Sequence, residues 1–380
     1  MMTPDSVAAL AEAVASAKGP LRIQGGGTRP IGHAEGEVLS TAGLSGIELY
    51  EPGALTLVAK AGTPVAVIEA ALAKENQRLP FEPMDHRALL GTKGEPTIGG
   101  VVATNASGPR RIQAGACRDS LIGVRYVDGQ GTIIKNGGRV MKNVTGYDLV
   151  KLLAGSYGTL GVMSEVGFKV LPGIEATATL VYSGLGWAAT SAVFAAAIGS
   201  PYEVSAAGRL PAGQLGAHGA LVLRLEGFVN SVAYRTKALA DLIAKSVGTP
   251  SEIIVDKGKA AGIWTKLRNV TAFADREGDI WRISVKPSDL ARTAESAGLG
   301  HEDVVVDWAG GLIWACVPEG TDLRAKLAGI NGHATLIRAT EATKIALGTF
   351  QPEPAPLAAI SQGLRTKFDP RGILNTGLMG

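Results

Sequence analysis

The sequence predicts an α+β fold in two parts, closed by a C-terminal segment that returns to the first part. Three observations support this. Short strand and helix signals alternate through residues 1–173, broken by glycine clusters at 25–27, 94–108 and 155–161. After Pro172 and Gly173 the clusters stop, and residues 174–345 carry longer strand and helix patterns. Residues 346–380 hold a helical pattern and then a Pro/Gly/Asn-rich run whose Ile373 and Leu374 are apolar enough to dock. With 380 residues, 46% of them hydrophobic and 19% charged, the chain can bury large cores, as globular proteins do.

Composition excludes several classes. The 51 glycines exceed ordinary usage and show no collagen-like period, so they mark tight turns and close backbone approaches. A net charge of +3 makes no electrostatic case for nucleic acid. The two cysteines, Cys117 and Cys316, lack metal-ligand spacing and fit a reducing compartment, so neither a disulfide scaffold nor a metal site is expected. The N-terminal stretch carries Asp5 and Glu12 and no basic region, unlike a signal peptide. Residues 176–202 are uncharged and long enough to span a bilayer, but Gly184, Gly186 and several Ser/Thr interrupt them. They read as a strand at 177–182, a turn, and a buried helix from Trp187, so no direct membrane anchor is expected.

The first part begins with Thr3-Pro4 as a cap-plus-proline helix start. Val7, Leu10 and Val14 follow at helical spacing, and Gly19-Pro20 ends the helix. A strand at 21–23 runs into Gln24, Gly25, Gly26, Gly27, Thr28, Arg29 and Pro30. Consecutive glycines after a strand expose backbone N–H groups that suit phosphate oxygens; a plain glycine turn is the alternative. The GxGxxG pattern fails at Pro30, and GxxxxGK[ST] does not occur. Strand patterns follow at 38–40, 46–50 and 54–60. Thr63-Pro64 then opens a helix with Val65, Ile68 and Leu72 inward. An extended segment stiffened by Pro80 and Pro83 leads into the long glycine-rich stretch 94–119.

That stretch reads as a backbone-lined groove for a large, flat, phosphorylated cofactor. Thr97, Gly99 and Gly100, then Thr104, Asn105, Ser107 and Gly108, alternate small residues with short hydrogen-bonding side chains. Arg110, Arg111 and Arg118 either add positive charge there, pair with Asp119, or lie in solvent. A strand at 121–127, an Asp128-Gly129 hairpin turn and a returning strand at 132–135 come next. A loop at 142–148 precedes a short helix capped by Asp148. Gly155, Gly158 and Gly161 then lie against apolar residues before a strand at 166–171. In the second part, strands at 177–182, 221–228, 281–285 and 312–316 and helices at 187–198 and 232–247 predict an antiparallel sheet with helices on one face. A helix at 356–368 precedes the tail.

The motif order resembles the vanillyl-alcohol-oxidase-type flavoproteins with a PCMH-type FAD-binding domain. It rests on the strand-GGGT loop, TIGG…ATNASG, AGACRD, NVTGYDL and GSYGTLGV, covers residues 1–175, and returns at FDPRGILNTG. Within that family the chain is most similar to the FAD-binding E subunits of bacterial glycolate oxidase (glycolate dehydrogenase). The resemblance implies that Gln24, Gly25, Gly26, Gly27, Thr28, Arg29 and Pro30 hold the pyrophosphate. It puts Thr97, Gly99, Gly100, Asn105, Ser107 and Gly108 along the flavin and ribityl chain, and counts Pro83 among the cofactor-binding residues. Gly161 and Val162 fall on the adenine or pyrophosphate side, and Asn375 approaches the flavin from the tail. Gly27 and Thr28 stand where many relatives attach flavin to histidine, so the implied FAD is non-covalent, with His33 beyond the loop. Tyr157 replaces a common glutamate. The H-x-G-x-G-x-x-H run of the larger catalytic relatives is reduced to His333 in a short Gly-His-Ala stretch.

Oxidising a 2-hydroxy acid requires a base for the hydroxyl proton, a cation for the carboxylate and a hydride acceptor. His333 and Arg338 are the pair this chain offers for base and cation. Three functions compete. The chain is the FAD-binding subunit of a glycolate dehydrogenase, working with a homologous larger flavoprotein subunit and an iron–sulfur subunit. Otherwise it is a stand-alone 2-hydroxy-acid or alcohol oxidase, or a non-catalytic assembly subunit. The expected location is the cytoplasm, peripheral to the inner membrane through partners.

Overall fold

The computed structural model describes residues 1–138 and 146–379. Residues 142–145 of the expected loop, with part of the NVTGYDL motif, lie outside them.

The first helix, Val7–Ser16, is capped by Ser6, whose side chain accepts from the Ala9 N–H, and not by Thr3. Strands β1 (Leu21–Gln24) and β2 (Glu37–Ser40) pair in parallel around the glycine loop. Next come β3 (Ile47–Glu51), β4 (Thr56–Lys60), β5 (Gln77–Arg78), β6 (Leu121–Val127), β7 (Ile133–Gly137), β8 (Val162–Lys169) and β9 (Leu171–Pro172). Five of these form an antiparallel sheet in the order β3-β4-β8-β6-β7. Asp128 organises the β6–β7 turn, its carboxylate accepting from the Gln130 and Thr132 N–H groups.

Within the glycine-rich stretch expected as a groove wall, residues Ile98–Ala103 form a short helix with Thr97 as its N-cap. Two glycines in a six-residue helix oppose helix propensity. Packing overrides it: the Gly99 N–H donates to the Ala61 carbonyl at 2.7 Å, and a Cβ on Gly99 would lie 2.7 Å from the Ala61 Cβ. Gly99 therefore lets the helix sit on the end of β4.

All strands after Gly173 join one antiparallel sheet. They are β10 (Ala176–Ser183), β11 (Ala206–Leu210), β12 (Ala220–Gly227), β13 (Glu252–Ile254), β14 (Asp279–Val285), β15 (Val304–Asp307), β16 (Leu312–Val317) and β17 (Gly332–Arg338). Their order is β13-β10-β12-β11-β15-β16-β14-β17. Helices Trp187–Ile198, Val229–Val247 and Leu290–Ala297 pack on one face through Val193, Phe194, Leu239, Ile243 and Ala294. The other face, with Val222, Ile280 and Trp314, shares a core with Leu57, Val166 and Phe168 of the first sheet. Helix Lys257–Arg268 adds Ile263, Trp264 and Leu267 to that shared core.

A charged seam runs through the shared interface. Glu82 accepts from Arg224 at 2.9 and 3.0 Å and from Arg110 at 3.1 Å, while Arg110 also binds Glu226 at 2.8 Å. Arg78 lies 3.7 Å from Glu226. Burial alone would raise the Glu82 carboxyl, but Arg224 and Arg110 hold it well below the ordinary carboxylate range. The tail closes the molecule. After helix Ala355–Phe368, Leu374 pairs with Leu21 of β1, and both Ile373 and Leu374 are buried.

Candidate active site

A cleft opens where β1, the glycine loop, helix Ile98–Ala103, residues 157–163 and the tail meet. Gln24, Gly25, Gly26, Gly27, Thr28, Arg29 and Pro30 line it together with Thr97, Gly99, Gly100, Gly161 and Asn375. Among the described residues, the N–H groups of Gly25, Gly26, Gly27, Thr28 and Arg29 donate to no protein acceptor. Successive free donors along a half-buried loop fit the oxygens of a pyrophosphate. The loop also needs its glycines for packing. A Cβ on Gly26 would lie 1.6 Å from the Glu95 carbonyl, and one on Gly25 2.3 Å from the Thr97 hydroxyl. Gly100 differs: a Cβ there meets only the Thr97 hydroxyl, at 3.3 Å, and otherwise looks into the cleft.

Other candidates serve the walls. Asn375 lines the cleft, but its amide is committed: its oxygen accepts from the Ile23 N–H at 2.7 Å and its nitrogen donates to the Tyr157 carbonyl at 2.6 Å. The Asn105 side chain accepts from the Arg118 N–H and Ser107 from the Cys117 N–H, so both fold the loop that follows. Gly108 packs on the Glu82 backbone, and the Val162 side chain is buried against the first helix. Pro83 is buried before Met84. Of these six, only Asn375 is among the lining residues of the cleft.

The structure separates His333 from Arg338. The Arg338 guanidinium donates to the carbonyls of Leu89, Phe273, Ala274 and Arg276, so it clamps the chain and is not free to bind a carboxylate. His333 pairs with Ser284, and Thr335 with Arg282, which puts His333 and Arg282 on one face of the sheet. Partial burial, Arg282 and Arg111 lower the His333 pKa below 6.5. Arg282 packs over the Trp308 indole at 5.2 Å and Arg111 over the same ring at 4.1 Å. Neither makes an ion pair with a carboxylate among the described residues. Burial lowers the pKa of both, helped by the charge of Arg118 at Arg111 and by that of Arg111 at Arg282.

Three neighbours complete the group. Arg29 binds the Met84 carbonyl, and its Nε is buried without a partner. His86 is buried edge-on to Trp314, ring centres 5.3 Å apart, with neither nitrogen hydrogen bonded. Burial, Arg29 and Arg282 push its pKa well below 6.5. Tyr157, at φ 52°, lines the cleft and packs on Phe350. Burial raises the Tyr157 hydroxyl, opposed by Arg282 and Arg29. Sequence reading missed Arg282, His86 and Trp308. No local motif marks them, because their partners lie far away in the chain.

The sequence matches the FAD binding domain family over residues 1–137. It is 35% identical to the glycolate oxidase subunit GlcE of Escherichia coli (strain K12) over 371 residues, 96% of this chain and 93% of that one. The chain belongs to the GlcE family of FAD-binding oxidoreductase subunits. FAD is thus the cofactor of this chain, and the free N–H groups and glycine walls of the cleft fit it. The D-lactate dehydrogenase of Archaeoglobus fulgidus is 32% identical over 157 residues, 40% of this chain and 33% of that one. The glycolate oxidase subunit GlcD of Bacillus subtilis (strain 168) is 44% identical over 85 residues, 22% of this chain and 18% of that one. Both glycolate oxidase relatives are named as subunits, which implies a multi-subunit complex. A solved structure of alkyldihydroxyacetonephosphate synthase superposes with a TM-score of 0.68 at 15% identity, covering 98% of this chain and 76% of that one. That match shows the shared fold. No helix among the described residues is long and apolar enough to cross a membrane.

Proposed function

We propose that this chain is the FAD-holding subunit of a glycolate dehydrogenase that oxidises glycolate to glyoxylate. In this reading residues 1–173 hold the cofactor, 174–345 cap it and supply the substrate side, and 346–380 pack back on the first part. The observation that carries it is the convergence of Arg111 and Arg282 on Trp308, beside His333 and without a carboxylate partner among the described residues. Such a site is short of negative charge, and a small acid supplies it. Arg282 and Arg111 hold the substrate carboxylate. His333 stays neutral at pH 7 and accepts the hydroxyl proton at an imidazole nitrogen. When bound, FAD supplies the two-electron oxidation by taking the hydride from the substrate carbon. Arg338 keeps the β17 end of the second sheet in place through its four carbonyls and does not touch substrate.

The partners in this reading are a larger homologous flavoprotein subunit and an iron–sulfur subunit that takes the electrons onward. They would bring the chain to the cytoplasmic side of the inner membrane. The similarity to GlcE across nearly the whole chain supports the subunit assignment over a stand-alone oxidase. The test is expression of the chain alone and with its partners. Yellow protein that releases FAD on acid denaturation supports non-covalent binding, and colourless protein that cannot be reconstituted refutes the flavin reading. Bleaching of the isolated chain's flavin by glycolate would instead favour a stand-alone oxidase.

A further inference from the structure

We propose that Trp308 is a positioning residue whose indole face holds Arg111 and Arg282 together as one carboxylate receptor. This inference rests on the reading of that site given above. Arg111 comes from the first part of the chain and Arg282 from β14, so no local structure fixes the distance between them. Their charges repel, and neither is restrained by an ion pair among the described residues. What they share is the ring of Trp308, at 4.1 and 5.2 Å from its centre. An aromatic face attracts guanidinium groups and orients their planes while leaving the N–H edges free.

Trp308 is itself held in three ways. Its Nε1 donates to the Gly108 carbonyl at 3.0 Å, tying it to the first part. Its backbone N–H donates to the side-chain oxygen of the buried Asp307 at 2.7 Å. The turn between β15 and β16 puts Trp308 at φ 52° and Ala309 at φ 54°, left-handed conformations that neither residue favours. Two such residues in succession are a cost that ordinary turns avoid, and strain of this kind collects where function needs a side chain aimed. Here it accompanies an indole that both arginines contact.

The test uses the FAD-loaded chain in its native complex, with Trp308→Leu and Trp308→Phe. Leucine keeps apolar bulk without a π face; phenylalanine keeps a face without the Gly108 hydrogen bond. Binding of oxalate, an unreactive acid, is measured by calorimetry, and KM and kcat for glycolate and the FAD content are measured beside it. The expected result for Trp308→Leu is about tenfold weaker oxalate binding and a matching rise in KM, with FAD content and kcat little changed. Trp308→Phe restores most of the loss. Equal losses in both variants, wild-type oxalate binding in Trp308→Leu, or loss of FAD from it would each overturn the proposal. Arg282→Gln separates the two levels. If it binds oxalate as wild type does, the carboxylate site itself is misassigned; if it loses oxalate while Trp308→Leu does not, only the role of Trp308 fails.

Discussion

Gly99 and Gly100 are adjacent in one short helix, yet their replacement by valine should fail in different ways. A Cβ on Gly100 meets a single atom, the Thr97 hydroxyl at 3.3 Å, so the helix can accept a side chain there. Helix propensity changes by only a few tenths of a kcal/mol, in favour of valine. The added methyl groups then stand in the cleft proposed for FAD. Forcing extra methyl groups against a well-packed partner costs about 1–3 kcal/mol. That corresponds to roughly 5- to 150-fold weaker FAD binding. On Gly99 the same Cβ lies 2.7 Å from the Ala61 Cβ and 2.8 Å from its carbonyl oxygen, against backbone that cannot swing away. Gly99→Val therefore lifts the helix off β4 and lowers the melting temperature whether or not FAD is present. Calorimetric titration of FAD into apo-protein, with melting followed by circular dichroism, separates the two effects. Wild-type FAD affinity in Gly100→Val would refute the assignment of the cleft, and an unchanged melting temperature in Gly99→Val would refute the packing argument.

Three further predictions concern charge. Glu82→Gln leaves Arg110 and Arg224 buried with half their compensation. Removing one partner of such a network costs about 3–5 kcal/mol. For 380 residues at roughly 2.1 cal/mol/K each, that lowers the melting temperature by about 4–6 °C, measured by scanning calorimetry. Because the Glu82 pKa is depressed, its contribution is present above the ordinary carboxylate pKa and fades as pH falls below it, so the wild type loses the difference in acid and Glu82→Gln does not. His86 is buried neutral, with its pKa well below 6.5. Below pH 6.5 the unfolded chain takes up a proton that the folded chain refuses, and stability falls; His86→Phe should flatten that part of a melting-temperature-against-pH curve. If His333 is the base, its lowered pKa keeps it deprotonated to lower pH than a free imidazole. The acid limb of kcat/KM for glycolate should then have its midpoint below 6.5 and disappear in His333→Gln.

What the sequence made legible were features that one segment can announce alone. The run of glycines after β1 declared an anion-ready loop because backbone N–H groups need no distant partner. Helix Trp187–Ile198 was readable to the residue from its apolar run and flanking glycines. The docking of Ile373 and Leu374 followed from apolar residues in an otherwise polar tail. Helix Ile98–Ala103 was hidden because its stability comes from Ala61 and not from its own residues. Arg110 and Arg111 looked alike in sequence. One is buried between Glu82 and Glu226 and the other lies on an indole, and only tertiary structure distinguishes them. Arg338 was placed beside His333 by closeness in sequence. Each of its four carbonyl partners lies more than sixty residues away, so nothing local could show that it was already engaged.

The charged seam also bears on how the chain acquires its shape during synthesis. Arg78, Glu82 and Arg110 lie before Gly173, whereas Arg224 and Glu226 lie after it. Charged groups stay in water until their partners arrive, because desolvating them singly is too costly. The first part therefore cannot seal its inner face until β12 has left the ribosome, and the second sheet waits in the same way for Glu82. Neither half is a finished folding unit. Heating should give a single cooperative transition, and co-expressed fragments 1–173 and 174–380 should fold only in each other's presence.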